Sequence, residues 1–400
     1  MPVKLLPILM SLVLLSPLAI DIYLPSIPAM ARDFSVSSGA VQSTLVLFLF
    51  AMGVGQILIG PLADRFGRRP VALFGILLYV ASSLLAAAAL EFEWLQLARL
   101  LQGLAACSTS IVAFSAVRDR FSPAEGARIY SYLNGAICVV PALAPTLGGL
   151  LALQFGWRST FAFMALYGLL MLLVVGYRLP ETRPANTDSQ GRLYSWARYK
   201  PVLANSHFMF YALTCMAAMA AILSYVSYSP VWLIGKLGVS ELTFSGLFGL
   251  NALINVIACF AAPVVTKRLG NRPTVIVALW LMTLAALLEL VLQLPVWSGP
   301  LAASFAFMLP MMLLCVGFAL LLGPATSMAL APFGERAGTA TAMLGFIQMS
   351  GASVIAALVQ VTPMPAPLAL GLPMGAMAFL LLGVMGMKHL SHWHREPLSD

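Results

Sequence analysis

Twelve runs of about twenty apolar residues, separated by short polar turns, account for nearly all of this 400-residue sequence. A run of that length spans the roughly 30 Å hydrocarbon core of a bilayer as a helix. Lipid offers no hydrogen bonds to a backbone, so only helices or closed barrels cross it. Barrel strands alternate apolar and polar side chains over roughly ten residues, whereas here the runs are continuous, as over 71–90. With only 9% charged residues and a mean hydropathy of +0.94, the chain lacks the polar surface of a water-soluble fold. An all-α polytopic membrane protein is expected.

The spans read as 5–28, 40–62, 70–90, 94–117, 128–152 and 158–179, then 205–229, 240–262, 273–294, 300–325, 337–361 and 367–387. The first resembles a secretory signal peptide, but no small-residue cleavage site follows and Asp21-Ile-Tyr-Leu-Pro continues it, so it counts as a span. With both termini placed in the cytoplasm, eighteen of the 22 Lys and Arg fall on the cytoplasmic side. Three (Arg32, Arg158, Lys236) fall opposite, and Arg99 lies inside a span. That is the positive-inside bias, and it accounts for the net charge of +8 without a nucleic-acid partner. The five cysteines stand singly inside apolar runs with no metal-ligand spacing, and read as packing residues.

The longest polar stretch divides the chain into an N-terminal bundle (1–180), a cytoplasmic linker (181–204) and a C-terminal bundle (205–400). An internal echo crosses it. Gly67, Arg69 and Pro70, after span 2, return as Gly270, Arg272 and Pro273 after span 8. Two six-span halves related by duplication are common among secondary transporters, with a substrate site near the membrane midplane.

Gly60-Pro-Leu-Ala-Asp64-Arg65-Phe-Gly67-Arg68-Arg69 resembles the loop 2–3 signature of the major facilitator superfamily. Gly67 suits a turn of about six residues between two helices. Asp64 can serve either the positive end of a neighbouring helix or an arginine, as a charge latch. Arg99-Leu-Leu-Gln-Gly resembles the superfamily's second signature. Asn134, Pro141, Pro145 and the pair Gly148-Gly149 resemble its antiporter signature in span 5, with Ala144 where that pattern has glycine. These prolines and glycines imply a kinked helix with a small-residue face. With Asp21-Ile-Tyr23-Leu-Pro25, Val117-Arg118-Asp119, Trp157-Arg158 and Pro180-Glu181-Thr182-Arg183-Pro184, the chain resembles drug:proton antiporters of the Bcr/CflA kind, MdtL-type multidrug exporters in particular.

Three charges fall within spans: Asp21, Arg99 and Glu289. Each costs about 2.5–3.5 kcal/mol on insertion scales and is a functional candidate. At 1.5 Å per residue, Asp21 and Arg99 come out at similar depth, so they can meet or share a substrate. Asp21 is the expected proton carrier, and a fixed Asp21–Arg99 pair is the competing reading. The place two turns before Asp21 is Val13, which argues against a second coupling acid there. Glu289 is expected near the outer edge, reaching water. Tyr23, Met52, Gln56, Asn134, Tyr225, Asn251 and Gln348 are candidate substrate contacts, and Gln42, Tyr228 and Asn255 are further polar residues in spans. The tail Lys388-His-Leu-Ser-His392-Trp-His394 reads as a solvated end rather than a metal site.

No GxxxxGK[ST] occurs, so no P-loop is present to use ATP, and no complete catalytic signature is found. The resemblance implies a bacterial inner-membrane protein with no cofactor, working as a monomer. It would exchange small drug-like molecules, phenicol-like among them, for protons by alternating access. A nutrient facilitator or symporter is disfavoured by the span 5 signature and by the scarcity of hydrogen-bonding residues that a sugar site needs. A membrane enzyme or receptor would call for a cluster of His, Asp or Cys at one depth, which the sequence lacks.

Overall fold

The computed structural model describes residues 5–184, 194, 196–292, 300–333, 337–362 and 364–394. Twelve of its helices are long and apolar enough to cross a membrane, and their limits follow the twelve sequence runs closely. Residues 185–193 and 195 of the 181–204 linker, together with Lys4, Arg336 and Arg395, lie outside the described residues.

The first span is built in pieces for a simple reason. Proline has no backbone N–H, so each one strips a partner from the carbonyl four residues earlier. Pro17 does this to Val13, and the helix is interrupted between α1 (Leu6–Val13) and α2 (Leu15–Asp21). Pro25 does it to Asp21, and there α2 stops. A 3₁₀ turn (Leu24–Ser26) leads into α3 (Ile27–Asp33). Asp21 is therefore the last residue before a break in a membrane helix.

Next come α4 (Ser38–Phe66), α5 (Arg68–Ala88), α6 (Phe92–Arg120), α7 (Pro123–Phe155) and α8 (Arg158–Arg178). Ser122 and Glu125 form a reciprocal capping box at the start of α7. Pro141 and Pro145 lie inside α7, which runs on through both. The expected six-residue turn before α5 is far shorter, because helix α4 continues to Phe66 and Gly67 alone separates it from α5. Its φ of +103° is a backbone angle that residues other than glycine rarely adopt. Gly270, the repeated residue, has φ +88° and likewise sits alone between α11 and α12, so the echo in sequence is an echo in backbone.

The remaining helices are α9 (Trp196–Leu203), α10 (Ser206–Pro230) with a π turn at Val231–Lys236, α11 (Glu241–Leu269), α12 (Asn271–Leu292) and α13 (Pro300–Leu330). After them come α14 (Ala337–Phe346), α15 (Ala352–Gln360), α16 (Ala366–Gly386) and α17 (Ser391–His394). A second π turn, Ile347–Gly351, joins α14 to α15. Two compact units result: Met1–Tyr194 with Glu241–Gly249, and Ser195–Ser240 with Leu250–Asp400.

Within each unit small residues let helices approach. On α5 the buried stripe is Ala72, Gly75, Ile76, Tyr79, Ser83 and Ala86, while Phe74, Leu77 and Leu84 point outward. Both faces are apolar, which suits a helix flanked by protein and lipid. An added Cβ at Gly103 would overlap the Phe48 carbonyl oxygen, and one at Gly148 would overlap that of Ile22. These two glycines bring α6 against α4 and α7 against the break in the first span.

Candidate functional site

Two constellations in the first unit carry most of the sequence candidates. One is the interior around Arg99. Its side chain is 0% exposed, and so is that of Gln102. Arg99 shares with Gly103 the face of α6 turned toward α4, whereas Gln102 reaches Ser83 on α5 and Met164 on α8. The guanidinium lies over two rings, 4.6 Å from the Tyr23 centroid and 4.5 Å from that of Phe48. A desolvated cation over an aromatic face gains about 2 kcal/mol, and two faces together offset part of the burial cost. Arg99 Nη1 donates to Gln102 Oε1. Nε and Nη2 have no acceptor at hydrogen-bond geometry.

Asp21 is 3% exposed. It stands two residues before Tyr23, the residue that covers Arg99, and directly before the break caused by Pro25. No carboxylate among the described residues forms an ion pair with Arg99, so the fixed Asp21–Arg99 pair does not form in this structure. Tyr23 and Thr44 share a hydroxyl–hydroxyl bond at 3.3 Å, and Ser16 Oγ donates to Met52 Sδ at 3.3 Å. Tyr23 and Met52 thus pack where the first span meets α4. Gln56 is half-buried and Asn134 exposed.

The other constellation is the latch at the end of α4. Asp64 serves an arginine: Arg68 Nη1 lies 2.7 Å from Asp64 Oδ1, and Arg68 Nε lies 2.9 Å from Asp119 Oδ2. Glu181 takes the helix N-terminus instead. Its Oε1 accepts from Arg68 N at 2.9 Å and its Oε2 from Arg69 N at 3.1 Å, two of the donors that open α5 and have no partner within the helix. Partial burial works to raise the Glu181 carboxyl. The N–H groups of Arg183, Arg68, Arg69 and Thr182 outweigh it and hold the carboxyl below the usual range. Arg69 donates to the Gly176 carbonyl, Arg120 to that of Glu181 and Arg183 to that of Arg65. An added Cβ at Gly67 would lie 2.5 Å from the Glu181 carboxylate. Arg65 offers its carbonyl while its side chain stays exposed, and Gly60 sits inside α4 with open space around it. Of the span 5 candidates, Pro145, Gly148 and Gly149 are buried and Pro141 is half-buried.

In the second unit, Asn251 Nδ2 donates to Tyr225 Oη at 2.7 Å, and Asn255 Nδ2 donates to the Cys315 carbonyl at 3.2 Å. Tyr228 donates to the Val359 carbonyl at 3.0 Å. Gln348 is buried in the π turn between α14 and α15.

The structure corrects two expectations. Glu289 does not reach water: it is 0% exposed, because the face of α12 that carries it is packed inside the unit with Met282, Ala285 and Ala286. The C-terminal segment is not simply solvated. His394 is 1% exposed, its carbonyl accepts from Tyr211 Oη at 2.8 Å and its Nδ1 from Arg272 Nε at 3.2 Å. His389 and His392 do remain exposed, and no metal-capable cluster occurs among the described residues.

Sequence reading missed the roles of Asp119, Glu181, Gln102 and Ser83. Asp119 and Glu181 stand within the quoted motifs, but nothing in their spacing points to Arg68, 51 and 113 residues away.

The sequence profile of the Major Facilitator Superfamily matches residues 9–357. A multidrug resistance protein MdtL of Klebsiella pneumoniae (strain 342) is 31% identical over 98% of this chain and 97% of its own length. The MdtL of Shewanella sp. (strain ANA-3) is 32% identical over 84% of each. Among solved structures, a D-xylose-proton symporter superposes with a TM-score of 0.76 at 16% identity, covering 94% of this chain and 96% of that one. At that identity the likeness is one of fold.

Proposed function

Because the chain belongs to the Major Facilitator Superfamily, and within it to the family of the MdtL multidrug resistance proteins, we propose that it is a proton-coupled exporter of small drug-like molecules. The observation that carries this reading is a buried acid at a helix break, two residues before the ring that covers a buried arginine. Asp21 ends α2, and Tyr23, two residues on, covers Arg99. Buried ionisable groups in a membrane protein mark ion pathways by default.

In this reading the protein lies in the inner membrane with both termini in the cytoplasm and works as a monomer. Asp21 takes a proton from outside and releases it inside as the carrier alternates its access. Arg99 supplies the opposing charge, and the Asp64–Arg68–Asp119 cluster with Glu181 sets the rate of exchange between states. Tyr23, Met52, Gln56, Asn134, Tyr225, Asn251 and Gln348 are the proposed drug contacts, and neutral lipophilic compounds such as phenicols are the proposed substrates. The inward proton gradient is the energy source. The test is drug susceptibility of an efflux-deficient bacterium expressing the chain, with and without a protonophore. Protection that the protonophore abolishes is expected. Protection that survives full collapse of the gradient would overturn the coupling.

A further inference from the structure

One residue outside every recognised motif is joined to Arg99 through a single intervening side chain. Ser83, on α5, is fully buried. Its Oγ donates to the Tyr79 carbonyl at 2.7 Å. A serine hydroxyl has a single proton to donate, so toward any other neighbour Ser83 can only accept. Gln102 Nε2 donates to it at 2.8 Å, and the same nitrogen lies 3.6 Å from Met164 Sδ, also an acceptor.

The amide of Gln102 therefore has one permitted orientation: nitrogen toward Ser83 and Met164, oxygen toward Arg99. Turned over, it would set an N–H₂ group against a guanidinium that can only donate. Arg99 in turn donates Nη1 to Gln102, and neither Nε nor Nη2 has an acceptor at hydrogen-bond geometry. The rings of Tyr23 and Phe48 lie against its guanidinium carbon, and Gln102 is its hydrogen-bond acceptor. Helix α5 is itself tied to the broken first span, because Tyr79 Oη donates to the Leu15 carbonyl at 3.0 Å.

We propose that Ser83 is a positioning residue for coupling: through Gln102 it fixes which donors of Arg99 remain open to an acceptor, the Asp21 carboxylate or an acceptor atom of the drug. This rests on the reading of Arg99 as a coupling residue, so the experiment must separate the two. Ser83 is fully buried and acts through Gln102. Its loss affects the step in which proton and drug are exchanged, and not the drug's own passage.

The full chain is reconstituted in proteoliposomes with ethidium or chloramphenicol as probe, whichever the wild type extrudes. Two rates are measured: net transport driven by a pH gradient, and drug–drug exchange with no gradient. In Ser83→Ala, gradient-driven transport is expected to fall about tenfold, the scale of one hydrogen bond in a charged network, with exchange essentially retained. Ser83→Thr, which keeps the hydroxyl, is expected to recover most of the driven rate. Should Ser83→Ala not insert, Ser83→Cys, with a weak donor and acceptor in the same place, carries the same comparison. Equal loss of both rates would show a purely structural role and overturn the proposal, as would wild-type driven transport. Arg99→Ala is the control for the premise. If it transports like wild type, the role of Arg99 falls and this inference with it. If it is inactive while Ser83→Ala is normal, only the inference falls. Extrusion of neither probe by the wild type would overturn both.

Discussion

Arg69 and Arg272 hold equivalent places in the two halves: each is the second residue of a helix that starts just after a lone positive-φ glycine. Each also donates to a carbonyl near the end of the last long helix of its own half. For Arg69 the acceptor is Gly176, and for Arg272 it is Met385 at 3.2 Å. Beyond that helix the two halves differ. In the first half Glu181 returns to cap α5, and in the second His394 returns to meet Arg272.

Docking of His394 should be measurable as stability. Tyr211→Phe removes only the hydroxyl that holds the His394 carbonyl, and should lower stability by about 1 kcal/mol. Arg272→Ala, which also strips the bond to Met385, should cost more. Thermal unfolding in detergent and protease sensitivity of the C-terminal segment report both. An unchanged melting temperature in Arg272→Ala would mean that the contact contributes nothing.

The latch should act on rate and not on affinity. Asp64→Asn, Glu181→Gln and Gly67→Leu are each expected to slow transport several-fold while equilibrium drug binding stays near wild type. The direction of the Glu181 shift sets the pH dependence. Its carboxyl is held below the usual range, so its contribution is fully present above the ordinary value of about 4.3. That contribution is lost as pH falls through the lowered value. Glu181→Gln should therefore be less stable than wild type at neutral pH, and the difference should vanish in acid. The shape of the transport profile near neutrality should not change, because Glu181 does not titrate there.

Close packing makes a contrast among glycines of the same sequence. Gly103→Ala and Gly148→Ala place a methyl group against the backbone of Phe48 and Ile22, which cannot move as a side-chain tip can. Each should cost about 1–3 kcal/mol or more and lower the yield of folded protein. Gly60→Ala faces open space and should be tolerated for folding. Yield and monodispersity after detergent extraction would decide it, and a well-behaved Gly148→Ala would contradict the close approach.

The spans, their number and the turn at Gly67 are readable because the signals are local: twenty apolar residues, or a glycine and proline beside arginines. Rotation of each helix about its axis is not. Lipid-facing and protein-facing sides are both apolar, as Phe74 and Leu84 against Ile76 and Ala86 show on α5, so no amphipathic stripe gives the phase. That is why counting depth puts Glu289 at the water edge although its face is buried. Depth along a helix says nothing about direction around it. Asp119 and Glu181 are hidden for a related reason, since their partner Arg68 is close in space and remote in sequence.

Asp21 and Arg99 should be separable by chemistry. Asp21→Asn removes the titratable group at nearly constant volume, and is expected to abolish gradient-driven export with the protein still folded. Arg99→Ala should inactivate as well. Arg99→Lys should recover only part of the activity, because an ammonium is a point charge without the planar fork of donors that a guanidinium offers. Full activity in Arg99→Lys would reduce the residue to a generic charge. Full resistance in Asp21→Asn would remove it from coupling.

With Asp21 as sole carrier, one proton should enter for each drug molecule that leaves. Exchange of a neutral drug for a proton moves net charge. A membrane potential of about 100 mV then adds about 2.3 kcal/mol to the driving force, and a difference of one pH unit adds about 1.4 kcal/mol. A monovalent cation exchanged for one proton moves no charge, so only the pH difference should drive its export. Proteoliposomes with pH and potential clamped separately distinguish the two. Chloramphenicol transport should respond to both, and ethidium transport to pH alone. Neutral-drug transport that ignored potential would contradict the one-proton scheme. Cation export strongly driven by potential would require a second titrating group, and Glu289, buried in the second unit, is the acid to substitute first.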